Sequence, residues 1–275
     1  MKVYFPQWQG SGTGKSIEVG AKTVLNYLGG NQFKGIPLSS IQAENNGEKQ
    51  YHINNYGAIV DQLGRLHNEI AESQPRTVQT IGGDCGLEIV PVSYLNQKYG
   101  NIGVIWFDAH ADINRPCDSP SCNFHGMPLR TLLGEGAEPM NPLLFSTIEA
   151  SQIHYIGLRD IDDAEQLRID QDHIFAPNQL HIPSLVQTLQ SKGIKKLYLH
   201  FDFDCLDPSD YDQTYYQVPN GITIQEAEAC IKALQQNFEV IGTSVLESTA
   251  INETALAPIT GIIDLLMKDK YVPNT

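Results

Sequence analysis

Two short clusters in the chain gather carboxylates, one of them with an imidazole. One is Asp108-Ala109-His110-Ala111-Asp112; the other is Asp202-Phe203-Asp204, with Asp207-Pro208 just beyond. Alternate residues of an extended segment share a face, so Asp108, His110 and Asp112 point one way, and Asp202 and Asp204 have the same spacing. Carboxylates crowded together at neutral pH repel one another, and a bound cation relieves that repulsion. Oxygen-rich ligation with one imidazole suits Mn²⁺ or a similar divalent ion better than a thiolate-rich zinc site does. The two clusters together supply enough ligands for two ions with bridging carboxylates. Such a pair lowers the pKa of a bridging water and makes a hydroxide nucleophile. A single Asp-x-Asp more often caps a helix or lines a polar turn. Two such clusters, each directly after a buried-looking apolar run, favour metal.

The elements that must hold these groups read as short β-rich runs alternating with longer amphipathic ones. Strand-like runs are Lys2–Phe5, Thr77–Ile81, Ile102–Phe107, Ile153–Ile156, Lys196–Phe201 and Val240–Leu246. Helix-like stretches are Ile17–Leu28, Ala58–Ala71, Leu87–Lys98, Leu180–Ser191, Ile224–Gln236 and Leu256–Lys268. Thr223, with Glu226 three residues later, makes a capping box. Ser40 to Gln50 is polar and reads as loop. This alternation predicts an α/β fold with a parallel sheet covered by helices on both faces. No repeat or low-complexity linker interrupts it, so residues 1–275 are expected to form a single domain. Function in such folds gathers at the carboxyl ends of the strands. There the chain carries Gly82-Gly83-Asp84-Cys85, Asp108–Asp112, Gly157-Leu158-Arg159-Asp160-Ile161-Asp162, Asp202–Asp204 and Glu247.

Composition narrows the alternatives. Hydrophobic residues are 41% of the 275 and charged residues 18%, which excludes disorder of the whole chain. Lys+Arg is 18 against Asp+Glu 32, a net charge of −14. That balance argues against a general nucleic-acid binder and suits cations: metal ions, guanidinium or ammonium. No apolar run is long enough to predict a membrane span, and Met1–Pro6 reads as a short strand rather than a signal peptide. Five cysteines, odd in number and sparse, fit a reducing, cytoplasmic setting, with Cys117 and Cys122 as free thiols. Gly10-Ser11-Gly12-Thr13-Gly14-Lys15-Ser16 misses the phosphate-loop spacing, because Gly10 lies one residue too close to Gly14. It reads as a mobile Gly-rich connection at the rim of the site.

Together, Gly82-Gly83-Asp84, Asp108–Asp112, Asn123-Phe124-His125-Gly126-Met127-Pro128, Asp202–Pro208 and Glu247 resemble the ureohydrolase family of arginases, agmatinases and formiminoglutamases. The resemblance implies a three-layer α/β/α sandwich with a mainly parallel sheet. It is closest to arginases. Asp112-Ile113-Asn114, followed by Ser119 and Ser121, resembles the loop that holds the substrate's α-carboxylate. Arg159–Asp162 resembles the segment whose acids, Asp160 and Asp162, meet the α-ammonium. By the same likeness His125 shuttles a proton and Glu247 contacts the guanidinium. The implied activity is metal-dependent hydrolysis of a linear guanidino compound, foremost arginine to ornithine and urea, with Mn²⁺ at two positions in a homo-oligomer. Agmatine, guanidinobutyrate or formiminoglutamate as substrate stays open, as does a non-catalytic metal-binding or sensor protein. Elementary chemistry agrees with these roles. Guanidinium is planar and always charged, so a carboxylate pairs with it well, and expelling an amine needs a proton donor near neutral pH.

The likeness breaks at Cys85, where the family has the histidine that is the only nitrogen ligand of one of its two metals. By carry-over, one ion draws on Asp108, His110, Asp202 and Asp204, the other on Cys85, Asp108, Asp112 and Asp202. A thiolate is soft, and Mn²⁺ prefers oxygen and imidazole. Cys85 then has three outcomes: it ligates and biases its position toward Zn²⁺, Fe²⁺ or Co²⁺; it stays a thiol beside a weak metal position; or one metal suffices. The expectation is a weakened position. Cys122 stands where arginases commonly have Gly, which changes the carboxylate loop.

Overall fold

The computed structural model describes residues 1–40 and 48–268. Of the stretch read as loop, residues 41–47 lie outside the described residues. The strands are β1 (Lys2–Phe5), β2 (Lys34–Gly35), β3 (Val78–Gly82), β4 (Gly103–Phe107), β5 (Ile153–Ile156), β6 (Lys196–Phe201) and β7 (Glu239–Val245). They form one sheet in the order β2-β1-β3-β7-β6-β4-β5, every pairing parallel. Val, Ile, Leu and aromatic residues dominate the central strands, because helices cover both faces. The helices are α1 (Ser16–Tyr27), α2 (Tyr56–Ser73), α3 (Ile89–Tyr99), α4 (Pro128–Leu132), α5 (Asp163–Asp172), α6 (Ile182–Ser191), α7 (Ile224–Asn237), α8 (Glu253–Leu256) and α9 (Thr260–Met267). Side chains of α2, α3 and α4 pack on Val104, Trp106, Tyr155 and Tyr198 on one face. Those of α1, α6, α7 and α9 pack on Ile105, Phe107, Leu199 and Phe201 on the other. This is the three-layer α/β/α sandwich expected.

Three differences from the sequence reading have physical reasons. Strand β2 is two exposed residues with no apolar run to announce it. The single C-terminal helix expected over Leu256–Lys268 is instead a short α8, a 3₁₀ turn at Ala257–Ile259 containing Pro258, and α9. Helix α5 went unread because it buries only Glu165 and Ile169, so it carries almost no apolar stripe. Its start is set by capping: Asp162 accepts from the amides of Ala164 and Glu165, and Glu165 returns the bond. Thr223 and Glu226 make the expected capping box on α7.

The glycine pair after β3 is a matter of close approach. A Cβ on Gly83 would stand 1.7 Å from the Gln7 carbonyl. The next amide, Asp84 N, donates to that same carbonyl at 2.7 Å. The chain leaving β1 is thereby tied to the chain leaving β3, directly beneath the acidic residues.

Candidate active site

Backbone hydrogen bonds continue one or two residues past the strands and fix the acids in place. Asp108 N donates to Ile156 O (3.0 Å), Asp202 N to Phe107 O (2.9 Å) and Glu247 N to Gly83 O (2.9 Å). Asp112 and Glu247 then leave the ladder with φ of +52° and +59°. A left-handed backbone at residues with side chains is a stored cost, and it turns both carboxylates inward.

The structure brings together every residue expected to hold metal. Asp108, His110 and Asp204 present ligand atoms within 4.8 Å of one another. So do Cys85, Asp108, Asp112 and His200, and so do Cys85, Asp202 and Glu247. Asp108 is common to the first two groups. His110 Nδ1 lies 3.3 Å from Asp108 Oδ1 and 3.1 Å from Asp204 Oδ2. Asp202 stands between: its Oδ1 accepts from Asp204 N at 2.7 Å, and its Oδ2 is 3.4 Å from Cys85 Sγ. Cys85 N donates to Glu247 Oε1 at 3.3 Å. Asp112 Oδ2, Asn114 Oδ1 and Glu247 Oε2 are buried oxygens with no hydrogen-bond partner. As carboxylates and an amide these oxygens accept, so the site is short of donors or cations. A divalent ion among buried carboxylates, imidazoles and a thiol fits that deficit.

Electrostatics say the same. Burial and the charge of Asp108 push Asp112 well above the carboxylate range; burial and Asp204 do so for Asp202. Burial, then Asp108, raises Asp204 to about 6, and burial with Glu247 raises Asp84 to about 7. Burial, then Asp112 and Asp202, pushes the Cys85 thiol up. Burial would also raise Asp108, but hydrogen bonds from His110 and His200 outweigh it and hold that carboxyl well below its usual range. Burial disfavours the His110 cation, yet Asp204 and Asp108 together push its pKa up.

His125 sits on a 3₁₀ turn, Phe124–Gly126, whose amide at His125 donates to Gly10 O at 3.1 Å. Its Nδ1 lies 3.6 Å from Glu247 Oε1, and its ring is 5.2 Å from Tyr216. Gly10 N donates to Asp84 Oδ2 at 2.9 Å, and Ser11 O accepts from Tyr216 Oη at 3.0 Å. The Gly-rich segment is therefore at the rim, as expected, but its first residues are pinned rather than mobile, because both polar groups of Gly10 are bonded.

The residues read as substrate contacts divide into groups. Ser119 Oγ and Ser121 Oγ lie 3.4 Å apart beside Cys122, itself at φ +59°. Cys117 and Cys122 are both free. Asp160 is exposed, with Oδ2 3.6 Å from His110 Nε2. Asp162 is already engaged: Oδ1 caps α5, and Oδ2 accepts from Asn114 Nδ2 at 2.6 Å.

Three residues of the site, His200, Glu88 and Tyr216, are not marked in the sequence, and a fourth, Arg159, is marked there only as the start of the Arg159–Asp162 segment. His200 and Glu88 are buried behind Cys85. Tyr216 lies in a loop without periodicity. Arg159 is a brace: its three nitrogens reach the carbonyls of Gly157, Asp204, Cys205, Leu206, Val218 and Pro219 at 2.6–3.2 Å. It thereby holds the loop carrying Asp202 and Asp204. Arg159→Lys, a point charge in place of a planar fork, is expected to cost about 1–3 kcal/mol in a denaturant titration. An unchanged midpoint would refute the brace.

A family model described as the arginase family matches residues 15–259. An arginase of Staphylococcus aureus (strain MRSA252) is 32% identical over 234 residues, covering 81% of this chain and 76% of the relative. Among solved structures, an Entamoeba histolytica arginase in complex with L-ornithine superposes with a TM-score of 0.84 at 24% identity, covering 98% of each chain. A Bacillus caldovelox arginase superposes with a TM-score of 0.77 at 24% identity, again covering 98% of each. These two likenesses concern the fold.

Proposed function

Because the chain belongs to the arginase family, we propose that it hydrolyses the guanidino group of L-arginine to ornithine and urea. The observation that carries this reading is the nest of buried, acceptor-only oxygens at one sheet edge, Asp112 Oδ2 and Glu247 Oε2 above all, beside a reachable His125. Two divalent ions, Mn²⁺ by the hardness of most donors, would be held by Asp108, His110, Asp112, Asp202 and Asp204, with Cys85 making one position weaker or altered in preference. When bound, such ions neutralise the nest and acidify a water.

The chain's own residues do the rest. Glu247 Oε2 accepts from the guanidinium and orients its carbon. As water oxygen bonds to that carbon and the C–N bond to the side chain breaks, His125 delivers a proton to the departing amine nitrogen. The hydroxyls of Ser119 and Ser121 donate to the α-carboxylate. Asp160 and Asn114 Oδ1 accept from the α-ammonium, and Asp162 acts through Asn114, because both its oxygens are engaged.

The sheet draws strands from Lys2 to Val245, which supports reading the chain as one domain. Five free cysteines support a cytoplasmic setting. No helix among the described residues is long and apolar enough to cross a membrane. A homo-oligomer belongs to the same reading. Urea release measured with Mn²⁺, Co²⁺, Zn²⁺ and Fe²⁺ against arginine, agmatine and guanidinobutyrate tests it. Arginine is expected to give the highest kcat/KM. A preference for agmatine would overturn the substrate, and silence with metal bound would favour the sensor.

A further inference from the structure

His200 lies on β6, two residues before Asp202 and on the same face of the strand. It is paired in register with Trp106 of β4, and its ring stacks on that indole with centroids 3.5 Å apart at 8°. The stack fixes the ring plane, and the two nitrogens then point to different partners. Nδ1 is 3.3 Å from Glu88 Oε1. Nε2 is 3.4 Å from Asp108 Oδ2 and 3.8 Å from Cys85 Sγ. His200 and Glu88 are fully buried.

We propose that His200 Nε2 is the imidazole ligand of the metal position formed with Cys85, Asp108 and Asp112. The nitrogen enters from the sheet beneath rather than from the loop after β3, where this chain has a thiol. This rests on the two-metal reading above. Three observations support it. The four ligand atoms lie within 4.8 Å of one another. Asp112 Oδ2 is buried without a partner. Glu88 Oε1 is placed to accept the Nδ1 hydrogen, so an ion replacing the Nε2 proton that meets Asp108 would find the Nε2 lone pair turned toward it; a carboxylate behind a ligating histidine orients the ring in this way. The donor set of one nitrogen, one sulfur and two carboxylates suits Zn²⁺, Co²⁺ or Fe²⁺ better than Mn²⁺. The Asp108–His110–Asp204 position keeps hard ligands only. The two positions are therefore chemically unequal. The rival is a structural relay in which His200 only ties Glu88 to Asp108.

The test is titration of metal-stripped full-length protein with Co²⁺, read by absorption and by metal content. Wild type is expected to bind two equivalents, one of them giving a thiolate-to-cobalt charge-transfer band. His200→Gln is expected to weaken the thiolate-linked equivalent by on the order of 10²-fold or more, and Glu88→Gln by about 10-fold, with the other equivalent retained. Unchanged affinity and spectrum in His200→Gln would overturn the proposal in favour of the relay. If wild type binds neither equivalent, the two-metal reading itself fails and takes this one with it. If His200→Gln does not fold by circular dichroism, a cobalt anomalous map of wild type decides. A peak about 2.0–2.1 Å from Nε2 supports the proposal; a peak out of reach of Nε2 overturns it.

Discussion

Asp108→Asn is expected to lower kcat/KM for urea release by on the order of 10³-fold or more, about 4 kcal/mol of transition-state stabilisation, and to empty both metal positions. Asp108 is the one residue common to the Asp108–His110–Asp204 and Cys85–Asp108–Asp112–His200 groups. Its Oδ1 accepts from His110 N at 2.7 Å, and its Oδ2 from Trp106 Nε1 at 3.1 Å. Asparagine keeps the shape, loses the charge and turns an NH₂ toward groups that are themselves donors. Metal content per chain and initial rates at saturating Mn²⁺ check both halves. Retention of two ions with less than a tenfold loss would mean that the carboxylate is not shared.

The second large effect falls on kcat alone. His125→Asn should slow turnover about 10²- to 10³-fold with KM and metal stoichiometry nearly unchanged. His125 belongs to none of the three ligand groups, and its loop is held by the backbone bond from His125 N to Gly10 O rather than by the ring. Its imidazole faces the same rim as Tyr216 and Glu247. Partial rescue by added imidazole would mark a missing proton donor. Loss of metal in this variant would instead assign the ring a structural part.

The acids that end β3, β4, β6 and β7 were readable because a parallel sheet puts its functional groups where strands stop, and an apolar run followed by Asp marks that point. His200 was not readable by the same rule. It sits inside a strand, in Lys-Leu-Tyr-Leu-His-Phe, and a histidine there looks like an ordinary core residue until Trp106, Glu88 and Cys85 are known to surround it. Asp162 shows the opposite problem. Its position suggested a substrate contact, while one oxygen starts α5, a helix too polar to be seen by periodicity. The inward turns at Asp112 and Glu247 depend on a backbone conformation that residue type does not announce. Arg159 acts over a distance of sixty residues along the chain, to Pro219, and local pattern carries no trace of that.

Gly10 works as a rivet. Its N–H is fastened to Asp84 and its C=O to the amide of His125, so this single unit of the chain joins the floor of the site to the proposed proton donor. That unit lies upstream of residue 15, where the family match begins. Trimming the protein to the matched span would leave every proposed ligand and every proposed acid in the chain, and would still unfasten the turn that carries His125.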